Sequence, residues 1–278
     1  MRTNTRVRVL LAVMMMAAAV TTAQIRVGIL PRLAATELNK MFTPLADYLS
    51  KETGTQVVIV IPKDFAAFAE MERTKQFDYS FANPNVYVEA RNALGASVEP
   101  LAIAVEAGTG KTFTGCFLVR KGSPIKSLGD LKGHKGIFVD EQSAGGYLSQ
   151  VVTMKNAGVS RKDITILPFA KKHTNVALAI QNGAADFGGI RTADFATIRT
   201  QVAIPDVVIL SESQAIPNWP FYALPGADKG ATEKIRKALL DAKAHPEVLK
   251  GAKIDAFVPA TDGDFDILRQ MAKAAKEF

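Results

Sequence analysis

Ser143-Ala144-Gly145-Gly146 and His173-Thr174 are the two places where this chain could bring bare backbone N–H groups and a polar side chain to one anion. Gly136 to Val139 is a short apolar run, Asp140 to Gln142 a turn, and Ser143 stands at an N-cap position ahead of Tyr147, Leu148, Val151 and Val152. Gly145 and Gly146 leave the first helical turn without side chains. A helix start offers unpaired N–H groups and a partial positive charge, so a serine followed by small residues makes either an oxyanion cradle or a plain capped helix. His173 precedes the apolar Val176-Ala177-Leu178-Ala179-Ile180 and stands at a second helix mouth, as an anion donor or an ordinary helix-start residue.

Other chemistries fit less well. Ser143, His173 and Asp186 are the residue types of a hydrolase triad. However, Gln142-Ser143-Ala144-Gly145 is not the Gly-x-Ser-x-Gly elbow, and Asp186 reads as a strand-edge aspartate. Gly108-Thr109-Gly110-Lys111-Thr112 imitates a phosphate loop, but Val105 stands where its first glycine belongs and a strand follows. It reads as a hinge turn. His134 and His245 read as solvent residues, and the three dispersed histidines give no zinc spacing. The expectation is binding without catalysis, cofactor or metal.

The elements that must position these residues alternate. Strands are predicted at 25–30, 56–61, 77–81 and 99–105, with helices over 37–49, from Asp64 and from Asn83-Pro84 between them. Phe113 to Arg120 is a strand with no helix before it, and a second βα set follows: helix 143–157, strand 164–169, helix 174–182 and strand 185–189. Strand 206–210, the stiff Ile216 to Pro220 and an amphipathic helix over 231–244 complete the pattern. This order predicts an α/β fold of two lobes hinged by two crossing strands, one lobe from 24–112 plus 213–278 and the other from 113–212.

Met1 to Ala23 reads as a secretory signal peptide: Arg2, Arg6 and Arg8, a short apolar run over Val9 to Val20, then Thr21-Thr22-Ala23. Its removal takes the formal charge from +7 to +4, so the basic balance loses much of its force. No lysine-arginine stripe with interleaved aromatics suggests nucleic acid. Cys116 is the lone cysteine, so no internal disulfide forms and no lipid anchor is expected near the cleavage site. The expected address is the periplasm.

Phe42-Thr43-Pro44-Leu45-Ala46-Asp47-Tyr48-Leu49, Asp64-Phe65, Ser127-Leu128-Gly129-Asp130-Leu131-Lys132-Gly133, Ser143 to Leu148, and His173 with Ala177 to Ile180 follow one another in a telling order. In this the chain resembles the phosphate, phosphite and phosphonate-type periplasmic substrate-binding proteins of ABC transporters, over nearly all of 24–278. The resemblance implies a type II two-lobe fold that closes on a small oxyanion, works as a monomer and delivers to an importer's membrane subunits. It places Ser143, Ala144, Gly145 and His173 at the ligand, with Asn83 and Thr174 at neighbouring helix starts.

Several positions depart from that family. Phe65 and Phe113 replace ligand-facing tyrosines, Ala144 and Gly145 replace hydroxyl residues, and an acidic pocket position falls on Ala193 with Asp194 beside it. Each missing charge-assisted hydrogen bond is worth about 1.5–3 kcal/mol, so a smaller, less charged or softer ligand is expected. Cys116 adds an alternative through the family's sensory branch. There, periplasmic arsenite-binding proteins use a cysteine and signal to the periplasmic domain of a histidine kinase.

Overall fold

Apolar runs and amphipathic stretches become strands and helices in nearly the expected order. The computed structural model describes residues 24–106 and 109–278. The proposed signal peptide, residues 1–23, and Gly108 of the hinge turn lie outside the described residues. The first run is β1 (Ile25–Ile29), α1 (Ala35–Thr53), β2 (Val57–Val60), α2 (Phe65–Arg73), β3 (Tyr79–Phe81), α3 (Pro84–Leu94) and β4 (Glu99–Glu106). After β5 (Thr112–Phe113) come β6 (Gly115–Arg120), β7 (Lys135–Ile137), α4 (Ser149–Asn156), β8 (Thr165–Ile166), α5 (His173–Gln181), β9 (Phe187–Arg191), α6 (Thr192–Gln201) and β10 (Val207–Glu212). The chain closes with β11 (Ile216–Pro217), β12 (Pro220–Ala223), α7 (Lys229–Asp241), α8 (Pro246–Lys250), β13 (Ile254–Pro259) and α9 (Asp266–Lys276).

Two mixed sheets result. The first is ordered β13-β4-β12-β3-β1-β2 and the second β10-β6-β9-β7-β8. Within them, β1 runs parallel to β2 and β3, and β7 parallel to β8 and β9. The two strands that pass between the sheets, β5 and β11, pair antiparallel with Phe113 opposite Ile216. The chain therefore leaves the first sheet at Glu106, returns to it at Pro220, and makes both crossings side by side.

Packing explains the helices. The 3.6-residue spacing of Leu38, Met41, Phe42, Leu45 and Leu49 puts them on the buried face of α1, each worth about 1.5–3 kcal/mol. Pro44 lies inside that helix and cannot donate to the Lys40 carbonyl. Gly251 packs there, where a Cβ would stand 3.2 Å from the Met41 carbonyl oxygen and 3.6 Å from that of Lys40. In the second lobe β6 alternates: Cys116 and Leu118 join the larger core, Phe117 and Val119 a smaller one with Phe138 and Phe187.

Three differences from the sequence reading have physical causes. The expected strand over 164–169 shrinks to Thr165–Ile166, because after Leu167 the chain turns to bond Ala170 and Lys171 N–H to the Phe138 and Val139 carbonyls. The helix expected over 143–157 is two pieces, a wide π-helical turn at Ala144–Leu148 and then α4. Finally, the sequence pattern predicts no element beyond Ala244, yet β13 forms an edge of the first sheet and α9 packs against α3 and α4. α9 thereby reaches the second lobe, where Glu277 accepts from Lys155 Nζ at 2.9 Å.

Candidate functional site

Four helix starts converge between the sheets. At α3, Asn83 caps the helix: its Oδ1 accepts from the Asn85 and Val86 N–H groups at 3.0 and 3.1 Å. The Asn83 and Asn85 side-chain amides both donate across the cleft to the Gln142 carbonyl, at 3.3 and 3.2 Å. Opposite them, the Ser143 hydroxyl oxygen accepts from Gly146 N–H at 3.1 Å. The wide turn closes with Leu148 N–H on the Ser143 carbonyl at 3.0 Å. Its glycines are required by close approach. A Cβ on Gly145 would stand 2.6 Å from the Phe113 ring, and one on Gly146 2.6 Å from Val139. At Gly145, one of the two positions where the resemblance implies a hydroxyl residue, the Phe113 ring occupies the space a side chain would take.

The starts of α5 and α6 bring the charge. His173 is fully enclosed, and its Nδ1 accepts from Arg191 N–H at 3.0 Å. The ring proton therefore resides on Nε2. Arg191 pairs with Glu106 from β4, and Arg32, in the loop after β1, pairs with Asp194 from the first turn of α6. Arg191 also lies 3.6 Å from Asp194. Both guanidiniums lie over aromatic rings, Arg32 5.3 Å from the Trp219 centroid and Arg191 4.8 Å from that of Phe113. Two arginines and two carboxylates from both lobes thus interlock in a largely dry cleft. Though burial opposes it, the two guanidiniums hold the Asp194 carboxyl below the usual carboxylate range.

The expected site residues divide. Asn83, Phe113, Ser143, Ala144, Gly145, His173 and Asp194 lie along this cluster or on its immediate walls, and Thr174 is half-buried in the first turn of α5. Phe65 is instead a core residue at the start of α2, where Asp64 caps Ala67 N–H at 2.8 Å. Cys116 is fully buried beside Thr192, and desolvation pushes its thiol up to about 12, so it stays neutral. Asp186 is turned away from Ser143 and His173. It accepts from Lys135 N–H at 2.8 Å and faces His134 at 3.4 Å. The hinge turn is a tight one, with Glu106 N–H on the Gly110 carbonyl at 3.0 Å, and feeds no helix.

Arg32, Arg191, Glu106, Trp219 and Gln142 escaped the sequence reading. A signal existed for the arginines: Arg191 ends the apolar strand segment Gly188-Gly189-Ile190-Arg191, and Arg32 lies in the short apolar loop Leu30-Pro31-Arg32-Leu33 after the first strand, each just before a helix. A cation at the carboxyl end of a buried strand needs a partner or a ligand.

Burial lowers the His173 pKa to about 4, against a weaker opposing pull from Asp194. The unfolded chain therefore binds the extra proton between about pH 6.5 and 4, and this group's contribution to stability is lost as pH falls through that window. The loss is about 3 kcal/mol, from roughly 1.4 kcal/mol per pH unit across that window. Glu72 in the first lobe runs the other way. Buried under Tyr222, which donates to it at 2.6 Å, its carboxyl is pushed up to about 7 by desolvation, so its contribution falls as pH rises from 4.5 to 7. Urea titrations should show the acid loss more steeply in Glu72→Gln than in wild type, and more shallowly in His173→Gln. Equal slopes in all three would contradict this assignment.

Comparisons with known proteins agree with this architecture. The family described as "ABC transporter, phosphonate, periplasmic substrate-binding protein" matches residues 27–265. The chain is 27% identical to a phosphate-import protein, PhnD, of Mycolicibacterium smegmatis, over 89% of this chain and 84% of the relative. It is 23% identical to the phosphonates-binding periplasmic protein of Escherichia coli, over 88% and 75%. The structure of PhnD1 from Prochlorococcus marinus in complex with methylphosphonate superposes with a TM-score of 0.79 at 20% identity, over 92% of this chain and 99% of that one. That match shows the two-lobe type II fold. The family is one of binding proteins rather than enzymes, and the chain belongs to it: it is a periplasmic substrate-binding protein of the phosphonate type of ABC transporter.

Proposed function

We propose that the chain captures a small oxyanion between its lobes and presents it to the membrane subunits of an ABC importer. The observation that carries this reading is the pair of buried guanidiniums, Arg32 and Arg191, at the meeting point of helix starts from both lobes. An oxyanion there gains charge-assisted hydrogen bonds that water cannot screen. The moving bodies would be 24–112 with 213–278 and 113–212, turning about β5 and β11, and export through residues 1–23 would place a monomer in the periplasm. The sensory alternative, arsenite held by Cys116, finds little support in a neutral thiol packed in the core.

Isothermal titration calorimetry of the mature protein with phosphate, phosphite, methylphosphonate and arsenite tests the proposal. Saturable 1:1 binding of at least one phosphorus oxyanion at micromolar or tighter affinity is expected. Heat from arsenite alone, lost in Cys116→Ala, would replace it with the sensory reading.

A further inference from the structure

Away from the arginines of the cleft, a hollow of about 360 Å³ opens between α2 and α3. Small side chains leave the space: Ala66 and Ala69 on α2 face Val86 and Ala90 on α3, so the walls are apolar. Gln142 closes one end from the second lobe, where its Nε2 donates to Glu89 Oε2 at 2.5 Å. Glu72 also lines the hollow, although it is only 3% exposed. Its Oε1 accepts from the Tyr222 hydroxyl at 2.6 Å, whereas Oε2 has no donor within hydrogen-bond distance. Two further acceptors beside these carboxyls, Ser80 Oγ and Asn85 Oδ1, are buried without partners.

The charge of the hollow is one-sided. Arg73, the cation on its rim, is already paired with Glu70 at 2.6 Å. Glu89 is held by the Asn85 and Gln142 amides, and no cation among the described residues pairs with Glu72. Buried carboxyls are ordinarily paired, so an anion finds no free partner here and a neutral apolar guest leaves Glu72 Oε2 unsatisfied. We infer that the hollow is a second ligand site, separate from the oxyanion cleft, and that it takes an organic cation: an ammonium that meets Glu72, carried on an apolar body that covers the alanines. Proton linkage gives such a site a signature. Burial pushes the Glu72 carboxyl up to about 7, and a bound cation favours its ionised form, so binding releases a proton and tightens as pH rises. The groups facing Glu72 are Tyr222 from β12, Ser80 from β3 and Glu89 from α3. The Tyr222 phenol is raised well above its ordinary value by burial and stays neutral, while Glu89, raised by burial too, acts in the same direction as Glu72.

Three probes of one shape separate charge from apolar fit: cyclohexylammonium, neutral cyclohexanol and anionic cyclohexanecarboxylate. Calorimetry of the mature protein should show saturable 1:1 binding of the ammonium at millimolar or tighter affinity, with the alcohol at least about tenfold weaker and no heat from the carboxylate. The ammonium keeps its charge from about pH 6 to 8, so its affinity should rise about tenfold over that range as Glu72 ionises. Glu72→Gln keeps the shape and can still accept from Tyr222. It should weaken the ammonium at least about tenfold and flatten most of its pH dependence, while phosphate binding in the cleft stays unchanged. Ala69→Leu, which fills the hollow from a half-buried wall and leaves Glu72 in place, should abolish ammonium binding by itself. An ammonium that binds no more tightly than the alcohol, or equally well in Ala69→Leu, overturns the site and leaves Glu72 as a neutral acid of the core. Phosphate titrations of the same samples report on the oxyanion cleft alone, so the two readings fail separately.

Discussion

Arg191→Ala is expected to lose about 3 kcal/mol or more of stability and to weaken oxyanion binding at least about a hundredfold. The two effects share one cause. Arg191 is paired with Glu106 on β4 and lies 3.6 Å from Asp194 on α6, so its guanidinium joins a carboxylate of the first lobe to one of the second. Removing it leaves the Glu106 carboxylate largely buried without its cation, and an uncompensated buried charge costs more than the pair itself contributes. Its cation–π contact with Phe113, at 4.8 Å, goes as well, and with it part of the support for the ring that packs on Gly145. Arg191→Lys should recover part of the stability but less of the binding, because an ammonium cannot reproduce the planar fork. Urea denaturation and calorimetry on the same samples test this. A stability loss under about 1 kcal/mol together with unchanged binding would remove Arg191 from the site.

The same residue shows where sequence reasoning stops. Periodicity located α1, whose apolar residues Leu38 to Leu49 recur at helical spacing, while β1 and β3 were legible as short apolar runs buried nearly throughout. Cap chemistry located Asn83, Asp64 and Ser143, since the cap residue and the N–H groups it serves lie within three positions of each other. Arg32 and Asp194 are 162 positions apart, and nothing local to either announces the other. Their meeting depends on two chain crossings and a helix start in each lobe. Phe65 illustrates the converse. Its place after a helix-start aspartate suggested a pocket wall, whereas its side chain fills the first core. Family position alone does not fix which way a ring points. Cys116 depended on the face of one strand, and the alternation of Cys116 and Leu118 against Phe117 and Val119 settles its packing.

The wide turn at Ala144–Leu148 carries the second large effect, at a residue outside the cleft's charges. Gly115 opens β6 directly behind that turn, and a Cβ there would fall on the Gly145 carbonyl, on Gln150 Nε2 and, at 2.6 Å, on the Ser149 hydroxyl. The Gln150 amide is itself committed, donating to the carbonyls of Gly145 at 2.8 Å and of Cys116 and Ile190 at 3.2 Å. It therefore ties the turn to both β6 and β9 and cannot swing aside cheaply. A backbone carbonyl moves only with its helix, so relief must come from displacing the turn. Gly115→Ala is expected to cost about 2–3 kcal/mol by overpacking. Because the displaced segment holds Ser143 and Gly146, oxyanion affinity should drop about tenfold even though Gly115 touches no ligand. Gly129→Ala, where the nearest atom would be 3.7 Å away, is the matched control and should leave both quantities nearly unchanged. If Gly115→Ala is as stable as that control, the close approach of β6 to the turn does not hold the cradle in place. If it is destabilised but binds normally, the turn is a structural joint only, and the anion contacts lie with Arg32, Arg191 and the starts of α5 and α6.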